Sequence, residues 1–529
     1  MTAQKQYWNS KEVKFSPSSL GEVARSFRRT TYVIRDQDSG AIGCCFEGDS
    51  SNVQCHDELL ATLPPLYPEW LGDRRFTARH HLRYGYVAGA MANGIASEEL
   101  VIAMVRAGFL AFFGSAGLST QRVEKALDRL FATLPDQSWG ANLIHSPNEP
   151  ELESKIAQMY IERGVRRVSA AAYMKLTPYL LRYALHGLYR DENGVVRRTN
   201  HLFAKISRPE VARHFLNPAP EKMVGELVRK GWITHEEGLL AKEIPVAAQL
   251  TIEADSGGHT DNQSLSSLFP IISSLRDEAM LHYRYQEPIF LGAAGGLGSP
   301  RAVAGAFSLG ASYVLTGSVN QACVESGLHK EGKKLLASVG IADVCMAPAA
   351  DMFELGVEVQ VVQRGTMFAN RAKKLYHWYR SYSSLEELSP SDNKLLAQYL
   401  QTSVEEAWET TKAYWQRRDP QEIQRAQKEP KHKMALLFRS YLGQSSRWAI
   451  QGLSHRTLDY QIWCGPAMGA FNMWTKGTFL EAPEQRTVVQ VALNMMEGAA
   501  VITRAQQLRT FGVLLPAHCF SYRPQKLPT

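Results

Sequence analysis

Three apolar runs between residues 246 and 318 constrain the fold more than any other feature of the chain. V-A-A-Q-L-T-I-E-A-D-S-G-G-H opens at Val246, P-I-F-L-G-A-A-G-G-L-G-S at Pro288 and S-Y-V-L-T-G-S at Ser312. Each run ends in glycine and small polar residues. Helical patterns, 264–284 and 299–309, separate them. Strand, helix, strand, helix, strand predicts a parallel sheet. The runs carry few charges, as strands covered on both faces require.

Five earlier runs extend the pattern: 85–90, 109–113, 139–144, 167–172 and 201–206. Helical stretches starting at 97 and spanning 120–134, 151–163 and 177–186 alternate with them, and E-N-G within 188–198 reads as a hairpin insertion. The count of eight closes at Thr316. The fold class is therefore α/β: a (β/α)8 TIM barrel over 76–370, with a helical insertion at about 208–244. Residues 1–75 form a small N-terminal unit whose runs 31–35 and 41–46 read as a hairpin. Residues 371–529 are helical almost throughout and read as an additional domain lying against the barrel, over its mouth.

At 529 residues the chain exceeds one ordinary domain. The formal net charge of +7 favours an acidic partner but is too small to argue for nucleic acid. The seven cysteines include no C-x-x-C, and H-E-x-x-H is absent, so no metal site is signalled. Sparse cysteines, no secretory apolar core in the first ten residues and no membrane-length apolar run predict a soluble, cytoplasmic protein. Oligomeric state stays open, a homodimer included.

The candidate chemistry lies where the strands end. Ala294, Gly295 and Gly296 follow the seventh strand, and Gly317 and Ser318 follow the eighth. Glycine lets backbone amides approach an anion, and these two loops commonly build a phosphate site in such barrels. The alternative is a pair of tight turns. Gly258 and His259 follow the sixth strand, on the face where barrel active sites form, and imidazole suits proton transfer near neutral pH. Cys323 follows the phosphate loop, but nothing nearby activates it as a nucleophile.

A-D-S-G-G-H, G-A-A-G-G-L-G-S and L-T-G-S resemble the flavin-binding barrel of nitronate monooxygenases and FMN-dependent enoyl reductases. The wider wording, from Y-V-A-G-A-M-A-N-G-I-A-S to R-G-T-M-F-A-N-R-A-K-K-L-Y, is closer still to the trans-acting enoyl reductase of polyunsaturated fatty acid synthases and trans-acyltransferase polyketide synthases. The resemblance spans roughly residues 10 to 520 and implies FMN as cofactor and NADPH as donor. No separate Rossmann fingerprint appears. The resemblance also implies a flavin-side loop at Ala90, Met91 and Ala92, with Asn142 hydrogen-bonding the ring. Lys205 would stabilise reduced flavin or bind phosphate, and Asp255 would orient His259 or bind flavin. His259 would supply a proton or polarise a thioester carbonyl. Thr260, Asp261 and Asn262 depart from the simpler nitronate pattern and leave the proton donor open. The implied substrate is an acyl thioester on an acyl carrier protein. The basic, aromatic stretch from Arg371 reads as a docking face for that carrier or as a solvated amphipathic helix. Two other readings remain: a nitronate monooxygenase, or a non-catalytic barrel scaffold within a synthase.

Overall fold

The computed structural model describes residues 13–46, 58–147 and 149–529. The first twelve residues of the expected N-terminal unit, and 47–57 within it, lie outside the described residues. Eight parallel strands close a barrel: β1 (Tyr86–Ala88), β2 (Leu110–Phe113), β3 (Gly140–Ile144), β4 (Arg167–Ala171), β5 (His201–Ile206), β6 (Gln249–Glu253), β7 (Phe290–Ala294) and β8 (Tyr313–Thr316). Pairing of Val314 with Tyr86 joins β8 to β1. All eight expected strands form, in the expected order. The helices between them start at hydroxyl caps: Ser97, Ser119, Thr177 and Ser299 accept from the amides of Leu100, Arg122, Leu180 and Ala302. Each cap is worth about 1 kcal/mol.

Alternation along each strand divides the barrel interior into levels. The lower levels are aromatic. Phe112, Phe203, Phe290 and Tyr313 are buried there, with Phe76 from the helix Arg74–His80 closing the floor. Phe76 stacks on Tyr313 with ring centroids 4.4 Å apart. Gly292 makes room for that tyrosine, since a Cβ there would come within 2.2 Å of its ring. Tyr313 Oη bonds Thr251 Oγ1 at 2.7 Å, satisfying its polar end. Further along the strands, toward their C-terminal ends, lie small or polar groups: Gly114, Asn142, Lys205, Glu253, Ala294 and Gly317. The floor is filled by rings and the mouth is lined by smaller groups.

Outside the barrel the structure departs from several expectations. The 31–35 and 42–46 hairpin gains a third strand, Glu58–Leu63. Its E-L-L-A-T-L has no clean alternation and runs straight into Pro64-Pro65, so no strand signal stood out. The stretch 208–244 is three short helices, Pro209–Leu216, Glu221–Arg229 and His235–Leu240, broken by N-P-A-P and Gly231. The first packs against the helix Leu265–Tyr283 and against β5, the place of a barrel helix.

Residues on both sides of the expected boundary at 370 pack together. An antiparallel hairpin, β9 (Val344–Pro348) and β10 (Glu358–Val362), shares a second core with the helices Phe368–Ser381 and Pro430–Gln451. Phe353, Phe368, Trp378, Phe438 and Tyr441 fill it. The helix Val488–Thr510 instead joins the barrel core and packs on the helix Pro300–Ser308. It is apolar on nearly every face, which fits burial and not a surface role. Among the described residues no helix is long and apolar enough to cross a membrane.

Phe76 anchors the floor from outside the strands. Phe76→Ala is expected to cost about 3–5 kcal/mol, read as a lower urea midpoint for barrel unfolding.

Candidate active site

The strand ends bring most of the expected residues to one mouth. Gly89 N–H donates to Thr316 O at 2.9 Å, tying the loop after β1 to β8. Asn93 and Gly94 N–H donate to Ala116 O and Gly114 O, at 2.7 and 2.9 Å. A Cβ on Gly114 would come within 1.8 Å of Met91 O, so only glycine permits this approach. Ala90, Met91 and Ala92 are thereby pinned beside the loop after β2. Asn142 is buried on β3. Its Oδ1 accepts from Ala116 N–H at 3.2 Å and lies 3.0 Å from Ser115 Oγ. Tyr160 Oη donates to Ser115 Oγ at 2.7 Å and to Asn142 O at 2.9 Å. The carboxamide is therefore oriented, with its oxygen held and its N–H2 left to donate.

The ends of β7 and β8 form an amide cradle. Gly295 and Gly296 both have positive φ, +85° and +69°. A Cβ on Gly295 would meet the Ala254 and Asp255 backbone at 2.7 to 2.8 Å, whereas beside Gly296 and Gly317 nothing lies within 4 Å. Among the described residues no backbone carbonyl accepts from the amides of Gly295, Gly296, Gly317 or Ser318. Donors without acceptors, flanked by open space, fit a phosphate group. Ser318 Oγ is partly engaged, accepting from Gly465 N–H at 3.1 Å.

Lys205 and Glu253 face each other across β5 and β6 as an ion pair, Nζ to Oε1 2.8 Å, both largely buried. Ser256 Oγ adds a 3.2 Å bond to the same carboxylate. The pair lies on the far side of β6 from the cradle, since the strand order is β5, β6, β7, β8. The Asp255 backbone lies against Gly295, but its side chain bonds Gln360 and not His259. Its Oδ1 accepts from Gln360 Nε2 at 2.5 Å, and that amide also reaches Ser256 O at 2.8 Å.

His259 contacts a different carboxylate. Its Nε2 lies 3.3 Å from Oδ1 of Asp351, in the turn of the β9–β10 hairpin. Burial depresses the imidazole pKa, but the Asp351 carboxylate, with Glu253 adding, outweighs it and holds the pKa above the ordinary value. The Asp351 carboxyl is held below its ordinary range, because the imidazole contact outweighs burial. His259 thus stays protonated to higher pH than a free imidazole.

Part of the mouth is covered. Gly258 and Gln360 exchange backbone bonds of 3.0 and 2.8 Å, and Cys464 N–H donates to Gln360 O at 3.2 Å. A Cβ on Gly257 would sit 2.7 Å from Cys464 N, and one on Gly465 2.9 Å from Gly257 N. The W-C-G-P-A-M-G segment thus lies across the loops after β6 and β8. The basic helix Phe368–Ser381 turns Ala372, Leu375 and Trp378 into the second core, leaving Lys373, His377 and Arg380 exposed. Lys374 of the same helix lies over the Trp378 ring, 5.1 Å from its centroid. Cys323 is fully buried, and burial holds its thiol well above the usual range.

Glu253, Asp351 and Gln360 were not read from the sequence. Glu253 left a signal, a lone acid at the end of an apolar strand. Asp351 and Gln360 left none, because their partners lie about a hundred residues away.

Comparison with known proteins places this mouth. The nitronate monooxygenase family model matches residues 75–369, the barrel and its hairpin. The chain belongs to the nitronate monooxygenase family. A second model, acyl-carrier-protein S-malonyltransferase, inserted helical domain, matches 382–460, within the second core and its helices. The crystal structure of the enoyl reductase domain of MlnA, from the macrolactin cluster of Bacillus amyloliquefaciens, superposes with TM-score 0.79 at 37% identity, over 84% of this chain and 98% of that one. A polyunsaturated fatty acid synthase protein of Thraustochytrium is 44% identical over 83% of this chain, and polyketide biosynthesis protein PksE of Bacillus subtilis 45% identical over 82%. The matched region is only 30% and 56% of those two proteins' own lengths. FabK of Thermotoga maritima, at 18% identity and TM-score 0.50, shares the fold. The nitronate monooxygenase family is flavin-dependent, and the chain shares its barrel.

Gln360 satisfies several acceptors at once. Gln360→Leu is expected to destabilise the chain by about 2–3 kcal/mol, seen as a lower thermal midpoint, because Asp255 Oδ1 and Ser256 O lose their donor.

Proposed function

We propose that the chain is an FMN-dependent enoyl reductase. It uses NADPH to reduce the 2,3-double bond of enoyl thioesters on an acyl carrier protein, acting in trans in polyunsaturated fatty acid or polyketide synthesis. The observation that carries this reading is the match along 98% of the MlnA enoyl reductase domain. The geometry supports it. The cradle of Ala294, Gly295, Gly296, Gly317 and Ser318 has the donors that the FMN phosphate needs. Ala90, Met91, Ala92 and Asn142 line the mouth where the ring would lie.

Bound FMN supplies hydride transfer, from the nicotinamide to the thioester β-carbon. The protein's own contribution is the matching proton. The α-carbon must gain one H+, and His259, kept protonated by Asp351, is the acid in this reading. Lys205 provides a cation at the same mouth, its charge balanced by Glu253. Asp255 serves the loop through Gln360 and not the proton transfer. The segment 460–465 shields the mouth from water.

An absorbance spectrum of the purified chain, before and after NADPH, is the first test. A flavin spectrum bleached by NADPH and restored by crotonyl carrier protein is expected. Oxygen uptake with propyl nitronate and no crotonyl turnover would favour a nitronate monooxygenase. A protein without flavin absorbance would favour a scaffold. His259→Gln is expected to slow reoxidation by the enoyl thioester about 10²–10⁴-fold, in stopped-flow traces. Gly295→Ala, whose Cβ meets backbone at 2.7 Å, is expected to lose FMN on gel filtration.

A further inference from the structure

The hairpin β9–β10 lies outside the barrel, yet it supplies the groups that meet the loop after β6. Gln360, on β10, binds that loop by backbone and side chain. Asp351, in the hairpin turn, reaches the imidazole at the loop's end. The other carboxylates nearby are committed. Glu253 holds Lys205 and Ser256, and Asp255 holds Gln360. His259 Nε2 is buried and has no hydrogen bond, so its contact with Asp351 Oδ1 at 3.3 Å is an ion pair. Among the described residues no hydrogen-bond partner meets Nδ1.

We propose that Asp351 is the positioning residue of His259, holding the imidazole by Nε2 so that Nδ1 is the nitrogen that gives up the proton. The role rests on the enoyl-reductase reading for its use in turnover, but not for its geometry. The hairpin then has a definite task. It delivers a carboxylate to a barrel whose own acids are occupied. The step balances simply: the N–H bond at Nδ1 breaks, a C–H bond forms at the α-carbon, and the electron pair left on Nδ1 gives neutral imidazole. Solvent reprotonates it between turnovers. Three charged groups act on His259: Asp351 and Glu253 favour its cation, and Lys205 opposes it.

The test uses holoenzyme labelled with carbon-13 histidine, with His259 assigned through His259→Gln. Its titration midpoint is followed by NMR in the wild type, Asp351→Asn and Asp351→Glu. Asp351→Asn is expected to lower the midpoint by about one pH unit, and Asp351→Glu to restore most of it. The alkaline fall in enoyl-thioester reduction should move down by the same amount, since the acid form is lost earlier as pH rises. An unmoved midpoint overturns the proposal, whatever the turnover. So does a moved midpoint with a rate loss equal at every pH, which marks a merely structural effect. A moved midpoint in an enzyme that reduces no enoyl thioester supports the positioning and overturns the enoyl-reductase reading instead.

Discussion

Contact between backbones, possible only at glycine, holds the mouth of this barrel together. Gly257 and Gly465 press against each other's chains, and Gly114 lies against the Met91 carbonyl. Side chains at these points would separate the loops. Gln360 completes the junction, because its backbone pairs with Gly258 while its side chain binds Asp255 and Ser256. The His259 loop is thus set by a strand that is not part of the barrel. A βα loop of this length would otherwise have many conformations, and ordering it costs about 1–2 kcal/mol per residue. Hydrogen bonds from β10 and the 460s segment offset that cost.

The barrel interior divides its labour by level. Large rings fill the lower part, with Gly292 as the notch that admits Tyr313. Above them, glycine, alanine and three polar side chains leave space and hydrogen-bonding capacity. The rigid floor supports the level where a planar cofactor would rest. Lys205 and Glu253 are buried there as a pair, and neither would be stable alone. Each thus neutralises the charge that the other would leave buried there.

The barrel was legible in the sequence because each strand is a short apolar run closed by small residues. That signal is local and repeats eight times. The cradle was legible for the same reason, as glycine pairs at strand ends. The cover was not. W-C-G-P-A-M-G reads as apolar and small, but its partners, Gly257 and Ser318, lie about 150–200 residues away. Asp351 sits in an ordinary-looking D-M-F-E-L-G turn, and only tertiary folding brings it to His259. Asp255, four residues from the imidazole, was the natural candidate for that contact, but Gln360 claims it. The helix Val488–Thr510 carried a clue in its uniform apolarity. Periodicity alone could not say which core it joins.

The residues on either side of the helical stretch 382–460 bond to each other. Val361 bridges Trp463, and Val362 N–H donates to Ile462 O at 2.9 Å. The helices therefore enter and leave through two adjoining segments, and they also brace on the barrel through the Arg418–Glu149 ion pair and Ala449. Their two stems also lie on the His259 loop, so a change in how the helices seat would reach that loop through Gln360 and Cys464.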